Sequence, residues 1–218
     1  MINANTNPVT NAMNMLATQA NSGDCGCASP RTHKVPRMPI MIDQAKADPL
    51  DVRAFVGRPL HTVVDADALD RKMLQIFTNN ETARQYAQSS LAATKRRRHA
   101  AQPASTPQPL TEWGYIDLFE HIDFGGCEWH VVEQNNGTVG RYSDLWCGIL
   151  WWAKNADNRV SSADVNVSAD AVTFFDLPGI DLPNGSATIT FAGDSWITNL
   201  VEFGWNDRIS SHLLWYFG

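Results

Sequence analysis

The spacing of apolar residues changes midway along this 218-residue chain. Between residues 50 and 98 it is helical. Leu69, Met73, Ile76 and Phe77 form one apolar stripe over residues 68–77, with Asp67 placed to cap it. A second helix is expected over residues 81–95, after Asn79-Asn80. From Trp113 onward the pattern shortens to alternation punctuated by turns. Strands are expected at 115–120, 127–133, 163–167, 172–175 and 212–217, with turns at 123–126 and 135–137. Residues 1–50 show neither period. A helix around residues 12–20 ends at Ser22-Gly23-Asp24, and Pro30, Pro36 and Pro39 forbid a long one, so this stretch is expected to be loosely ordered.

Charge sharpens the division. The net charge of −6 is the sum of two unlike halves: residues 1–103 hold 13 Lys/Arg against 8 Asp/Glu, and residues 104–218 hold 4 against 15. Every Trp lies in the acidic half. The segment AQPASTPQPL carries three Pro and no charge, as a semi-rigid linker does. The expected organisation is an N-terminal region over 1–100, a linker over 101–111 and a domain over 112–218. The cluster Lys95-Arg96-Arg97-Arg98-His99 suits a helix C-terminus. It also suits a processing site or a surface for an anionic partner.

Within the acidic half, a hexapeptide pattern occurs twice. Asp157-Asn158-Arg159-Val160-Ser161-Ser162 returns 49 residues later as Asn206-Asp207-Arg208-Ile209-Ser210-Ser211. Each follows a set of strands and runs into another, so the segment is an internal duplication of about 50 residues that closes most economically as a two-sheet sandwich. The side chains are oxygen donors of the kinds calcium takes, in a cation-attracting acidic half with few sulfur or imidazole ligands close by. The alternative is a pair of Ser-rich turns that satisfy their own backbone.

These residues resemble the loops of a βγ-crystallin domain of the microbial, calcium-binding kind. That family's motif is Asn/Asp, Asn/Asp, two variable residues, Ser/Thr, Ser, and both copies match it. Its first-hairpin signature is an aromatic, four residues, an aromatic, one residue, Gly, which Phe119, Phe124 and Gly126 satisfy. In the second repeat Ile180 and Leu182 stand where the second aromatic and the Gly belong. The resemblance covers residues 112–218. It implies an all-β, two-sheet Greek-key sandwich with two Greek-key motifs, preceded here by a partly helical, partly disordered N-terminal region. It also implies two Ca2+ ions. One would take the Arg159 carbonyl, the Ser161 hydroxyl, the Glu120 carbonyl and the Asp207 side chain. The other would take the Arg208 carbonyl, the Ser210 hydroxyl, the Asp176 carbonyl and the Asn158 side chain. The Asp207 site is expected to be the tighter, since its ligand is charged.

Other chemistry finds little support. No nucleophile elbow or phosphate-cradling Gly loop occurs, so no catalytic residue is assigned and the chain is expected not to be an enzyme. His121, His130 and His212 are expected at the surface or on edge strands. The acidic half repels nucleic acid, and no run of 18 apolar residues predicts a membrane span. Cys127 and Cys147 are either a disulfide or two buried thiols, and Cys25-Gly26-Cys27 lacks a second ligand pair. No standard signal peptide is present, so a cytoplasmic or non-classically exported monomer is expected, bound to calcium and to an unidentified protein partner if any. The competing function is a secreted interaction module, a protease inhibitor or toxin-like effector, with residues 1–98 as a removable prosegment; Trp151 and Trp152 are candidates for its contact patch.

Overall fold

The structure, a computed structural model, describes residues 32–65, 68, 72–101, 114–132, 140–142, 145–147, 154–177 and 186–216. In chain order the elements begin with β1 (Ile40–Ile42), β2 (Ala45–Ala47), a 3-10 helix (Pro49–Phe55), β3 (His61–Val64), β4 (Leu74–Phe77) and helix α1 (Asn80–Ala101). The acidic half supplies β5 (Tyr115–Phe119), β6 (Glu128–Val132), β7 (Gly140–Arg141), β8 (Trp146–Cys147), β9 (Lys154–Asn155) and β10 (Ser162–Asn166). It continues with β11 (Ala171–Phe175), β12 (Thr188–Ala192), β13 (Trp196–Ile197) and β14 (Ser211–Trp215).

The duplication governs the topology. One sheet has the order β13-β10-β5-β6, and the larger one ends β12-β11-β14-β7. The first repeat is β5, β6, β7 and β10; the second is β11, β12, β13 and β14. Each repeat therefore lends its third strand to the edge of the other's sheet. Side chains alternate inward along β5, where Ile116 and Leu118 are buried between half-buried neighbours. They meet Val172, Phe174, Ile189 and Leu214 from the facing sheet in one core. The expected two-sheet Greek-key sandwich is present.

Residues before the acidic half extend this sandwich, and residues 40–42 and 45–47, expected to be loosely ordered, are strands β1 and β2 held by pairing with each other and, for β1, with β4. Strand β3 pairs in parallel with β12, and β4 and β1 follow, so the larger sheet has eight strands in the order β2-β1-β4-β3-β12-β11-β14-β7. Helix α1 covers the outer face of that sheet, packing Ala83, Ala87 and Leu91 against Val63, Phe77, Ala171 and Ala192. Strands β11 and β12 are thus buried on both faces along their whole length. Their hydroxyls are satisfied in pairs, as between Thr173 and Thr190 at 2.8 Å.

The second helix starts where expected, begun by Asn79, whose Oδ1 accepts the Thr82 amide at 3.0 Å, but runs six residues past its expected end to Ala101. The first does not extend over residues 68–77. Residues 74–77 are strand β4, hydrogen-bonded to β1 on one side and β3 on the other. Leu74 and Ile76 enter the sandwich core while Phe77 joins the cluster beneath α1. Two ladders and a two-faced burial override the apparent helical stripe. The charge break near residue 103 marks no end of the sheet, because strands from before and after it are neighbours. Release of a prosegment cut near Arg98 would strip four strands from the sheet. The expectations for residues 1–31, residues 102–111 of the expected linker, the turn at 135–137, Trp151, Trp152 and the degenerate second hairpin at 178–182 lie outside the described residues, as do the side chains of Lys95 to Arg98. Among the described residues no helix is long and apolar enough to cross a membrane.

Two outcomes follow from this joint sheet. A fragment covering residues 112–218 leaves β12 with an open edge and the α1-facing cluster uncovered, so it should self-associate or unfold at lower urea than the full chain. Light scattering and urea titration measure this, and equal stability would separate the two regions. His61 on β3 is buried and bonded through Nδ1 to Thr188 Oγ1 at 3.0 Å. Burial lowers its pKa to about 4. The unfolded chain takes up the proton first as pH falls, so this contribution is complete above pH 6.5 and is lost progressively toward pH 4, by about 3 kcal/mol. His61→Gln should flatten that portion of the pH–stability curve.

Candidate metal centre

The two hexapeptides lie side by side and hold one another reciprocally. The Asn158 amide donates to the Ile209 carbonyl at 2.9 Å, and the Asp207 amide donates to the Val160 carbonyl at 3.0 Å. Both second-position residues are left-handed, with φ of 55° at Asn158 and 53° at Asp207. Asn and Asp enter that region more readily than other residues with a Cβ, which accounts for the residue types at this position. The fifth position is fixed by the opening strand of its own repeat: Ser161 donates its amide to Phe119 at 2.9 Å, and Ser210 to Phe175 at 2.8 Å.

The serine hydroxyls then meet the carbonyls after those strands. Ser161 Oγ donates to the Glu120 carbonyl at 2.6 Å, and Ser162 Oγ to that of His121 at 2.6 Å. In the second copy Ser211 Oγ donates to Leu177 at 2.8 Å, while Ser210 Oγ lies 3.5 Å from the Asp176 carbonyl and 3.4 Å from Asn158 Oδ1. Three of the donors expected around one ion, Ser210, Asp176 and Asn158, are therefore together. Around the other, Ser161 and Glu120 are together. The Asp207 carboxylate there is engaged by the Asn206 amide and lies 3.8 Å from Lys34 Nζ.

The expected hairpin carries the first carbonyl. Phe119 and Phe124 stack edge to face with centroids 5.3 Å apart. Gly126 has φ of 81°, and a Cβ there would lie 2.8 Å from His121 Cδ2 and 3.0 Å from Glu120 Cβ. The hairpin touches the hexapeptide through the Phe124 amide, which donates to Ser162 Oγ at 3.1 Å.

The carboxylates of Glu120 and Asp176 are already occupied. Glu120 pairs with Lys154, whose hydrogen bond holds its carboxyl below the usual range against a smaller opposing effect of desolvation. Asp176 pairs with Arg208 at 3.3 Å, with both side chains largely buried, and the guanidinium rests 4.5 Å over the Trp205 ring. Their backbone carbonyls, rather than their carboxylates, are the groups left for an ion. Arg159 is exposed, and its backbone carbonyl is the group it offers.

Calcium fits this donor set. Carbonyl, hydroxyl and amide oxygens lie together at Ser210, Asp176 and Asn158, and Asp157 Oδ1 at the head of the first hexapeptide is buried without a hydrogen-bond partner. Among the described residues no three His, Cys, Asp or Glu cluster as metal ligands, so a tetrahedral nitrogen–sulfur site has no basis there.

Of the two alternatives for Cys127 and Cys147 the structure has the disulfide, with Cα atoms 5.9 Å apart, tying the start of β6 to β8. His121 and His130 are exposed as expected, but His212 is buried, because the Tyr142 hydroxyl 3.0 Å from Nδ1 gives the neutral ring a partner. Lys34 carried no local signal, being 172 residues from the Asn206 carbonyl to which it donates.

No protein-family model matches the chain, and no curated protein does. Several solved structures do. One, from work on the evolution of the eye lens βγ-crystallin domain fold, is 21% identical and overlaps 53% of this chain and 96% of its own, with a TM-score of 0.33. A βγ-crystallin from an archaeon is 17% identical over 47% of this chain and 98% of its own, with a TM-score of 0.30. A βγ-crystallin domain from Clostridium beijerinckii is 15% identical over 46% and 97%, with a TM-score of 0.31. The structural neighbours are βγ-crystallin domains, microbial ones among them. Similarity at this level assigns no ligand.

The hairpin gives a direct check. Gly126→Ala combines a left-handed backbone with a clash, so it should cost roughly 1–3 kcal/mol in chemical denaturation, where Gly125→Ala, meeting nothing closer than 3.5 Å, costs less.

Proposed function

We propose that this chain is a calcium-binding protein of βγ-crystallin type, in which two ions lie between the paired hexapeptides and stabilise the sandwich. The observation that carries this is the reciprocal arrangement itself: each loop presents a left-handed Asn or Asp to the other, and each fifth-position serine meets a hairpin carbonyl. One site takes Glu120, Arg159, Ser161 and Asp207. The other takes Asp176, Arg208, Ser210 and Asn158. Each ion would draw ligands from both repeats, so binding opposes their separation. Its role is structural, through preferential binding to the folded chain, and no reaction is assigned. The Cys127–Cys147 bridge supports an oxidising compartment, and therefore export over a cytoplasmic location.

Calcium at a hundredfold excess over the dissociation constant of each site should raise the melting temperature by roughly 10–20 °C relative to chelator, measured by calorimetry. The absence of any shift would overturn the proposal. Asp207→Ala should remove the binding event of the Ser161 site and leave that of the Ser210 site.

A further inference from the structure

We propose that Lys34 is a tethered counter-ion for Asp207, one that calcium must displace to fill the Ser161 site. The inference rests on the calcium reading and concerns the control of one of its two sites. Lys34 Nζ lies 3.8 Å from Asp207 Oδ2 and donates to the carbonyl of Asn206, the residue before it. Both partners belong to the second hexapeptide. At the corresponding place in the first, the Asn158 side chain meets Ser210 instead.

The lysine is delivered by an anchored segment. His33 is buried, with its ring nitrogen 2.7 Å from the Arg58 carbonyl and 3.2 Å from that of Phe55. Three residues beyond Lys34, the Arg37 amide donates to the Glu202 carbonyl at 2.9 Å and its guanidinium pairs with the Glu202 carboxylate at 3.8 Å. Between these anchors the backbone presses on the loop leading into the hexapeptide. A Cβ on Gly204, whose φ is 72°, would lie 2.5 Å from the Lys34 carbonyl. The contact thus requires glycine on one side and fixes the root of the lysine on the other.

The side chain itself remains free to leave. It is 47% exposed, and an ion pair so exposed is weak, so its ammonium can pass into water while the backbone stays docked. Calcium and the ammonium cannot share Asp207 without repulsion between like charges a few ångströms apart. Without calcium, the lysine balances the carboxylate. With calcium, its release subtracts from the affinity. Ligand charge ranks the Asp207 site above the Asn158 site, and Lys34 opposes that ranking.

Calcium titration calorimetry on the full chain tests this with wild type, Lys34→Gln and Lys34→Arg. The expected result is that Lys34→Gln tightens one of the two sites roughly two- to fivefold and leaves the other unchanged, while Lys34→Arg stays near wild type. In the Asp207→Ala background Lys34→Gln should change nothing, which a merely structural role for Lys34 would not produce. Melting curves in chelator establish that each variant is folded. Two sites with affinities unmoved by Lys34→Gln would overturn this inference and leave the calcium reading intact. A failure of both wild type and Lys34→Gln to bind calcium would overturn both.

Discussion

Two backbone hydrogen bonds, Asn158 to Ile209 and Asp207 to Val160, hold the molecule's two repeats in register. They form only because each hexapeptide turns through a left-handed residue, and in the first that turn brings the Asn158 side chain to Ser210 of the other repeat. The same junction is where each repeat enters its fourth strand: Ser162 begins β10 and Ser211 begins β14. Sheet pairing, hairpin closure and oxygen donors therefore converge on the two hexapeptides. A change there alters fold and site together, which is why the proposed ions are best understood as belonging to the architecture.

What could be read in the sequence was whatever the chain specifies locally. The hexapeptides, the Phe119–Gly126 hairpin and the alternation of 115–119 carry their own reasons within a few residues, and the structure has them. Strands β3 and β12 do not. Their runs, HTVV and TITFA, are buried on both faces, so they lack the alternation that announces a half-buried strand. Strands β7 and β13 have only two residues each, too few for any pattern. At the site, the residue types were legible, but Lys34 was not, since nothing near it in sequence refers to Asp207. His212 departs from expectation for a related reason: a histidine suits the interior once a buried tyrosine hydroxyl stands beside it.

The N-terminal strands change the meaning of the charge asymmetry. Two segments of opposite net charge meet here in one sheet, joined where His61 to Val64 pair with Thr188 to Phe191, positions without Asp, Glu, Lys or Arg. Charged residues that cross between them sit at the rim, as Lys34 with Asp207 and Arg37 with Glu202. The break in composition separates two surfaces of one body.

The exchange of third strands also sets an order of events during synthesis. The first repeat's sheet lacks its edge until β13 emerges, and β3 waits for β12, so that His61 meets a threonine 127 residues further along. The ladders β1–β2, β1–β4, β3–β4, β5–β6 and β5–β10 can form early, but the junctions β3–β12, β10–β13 and β7–β14 that unite the sheets need the second repeat. Such long-range pairing favours slow folding.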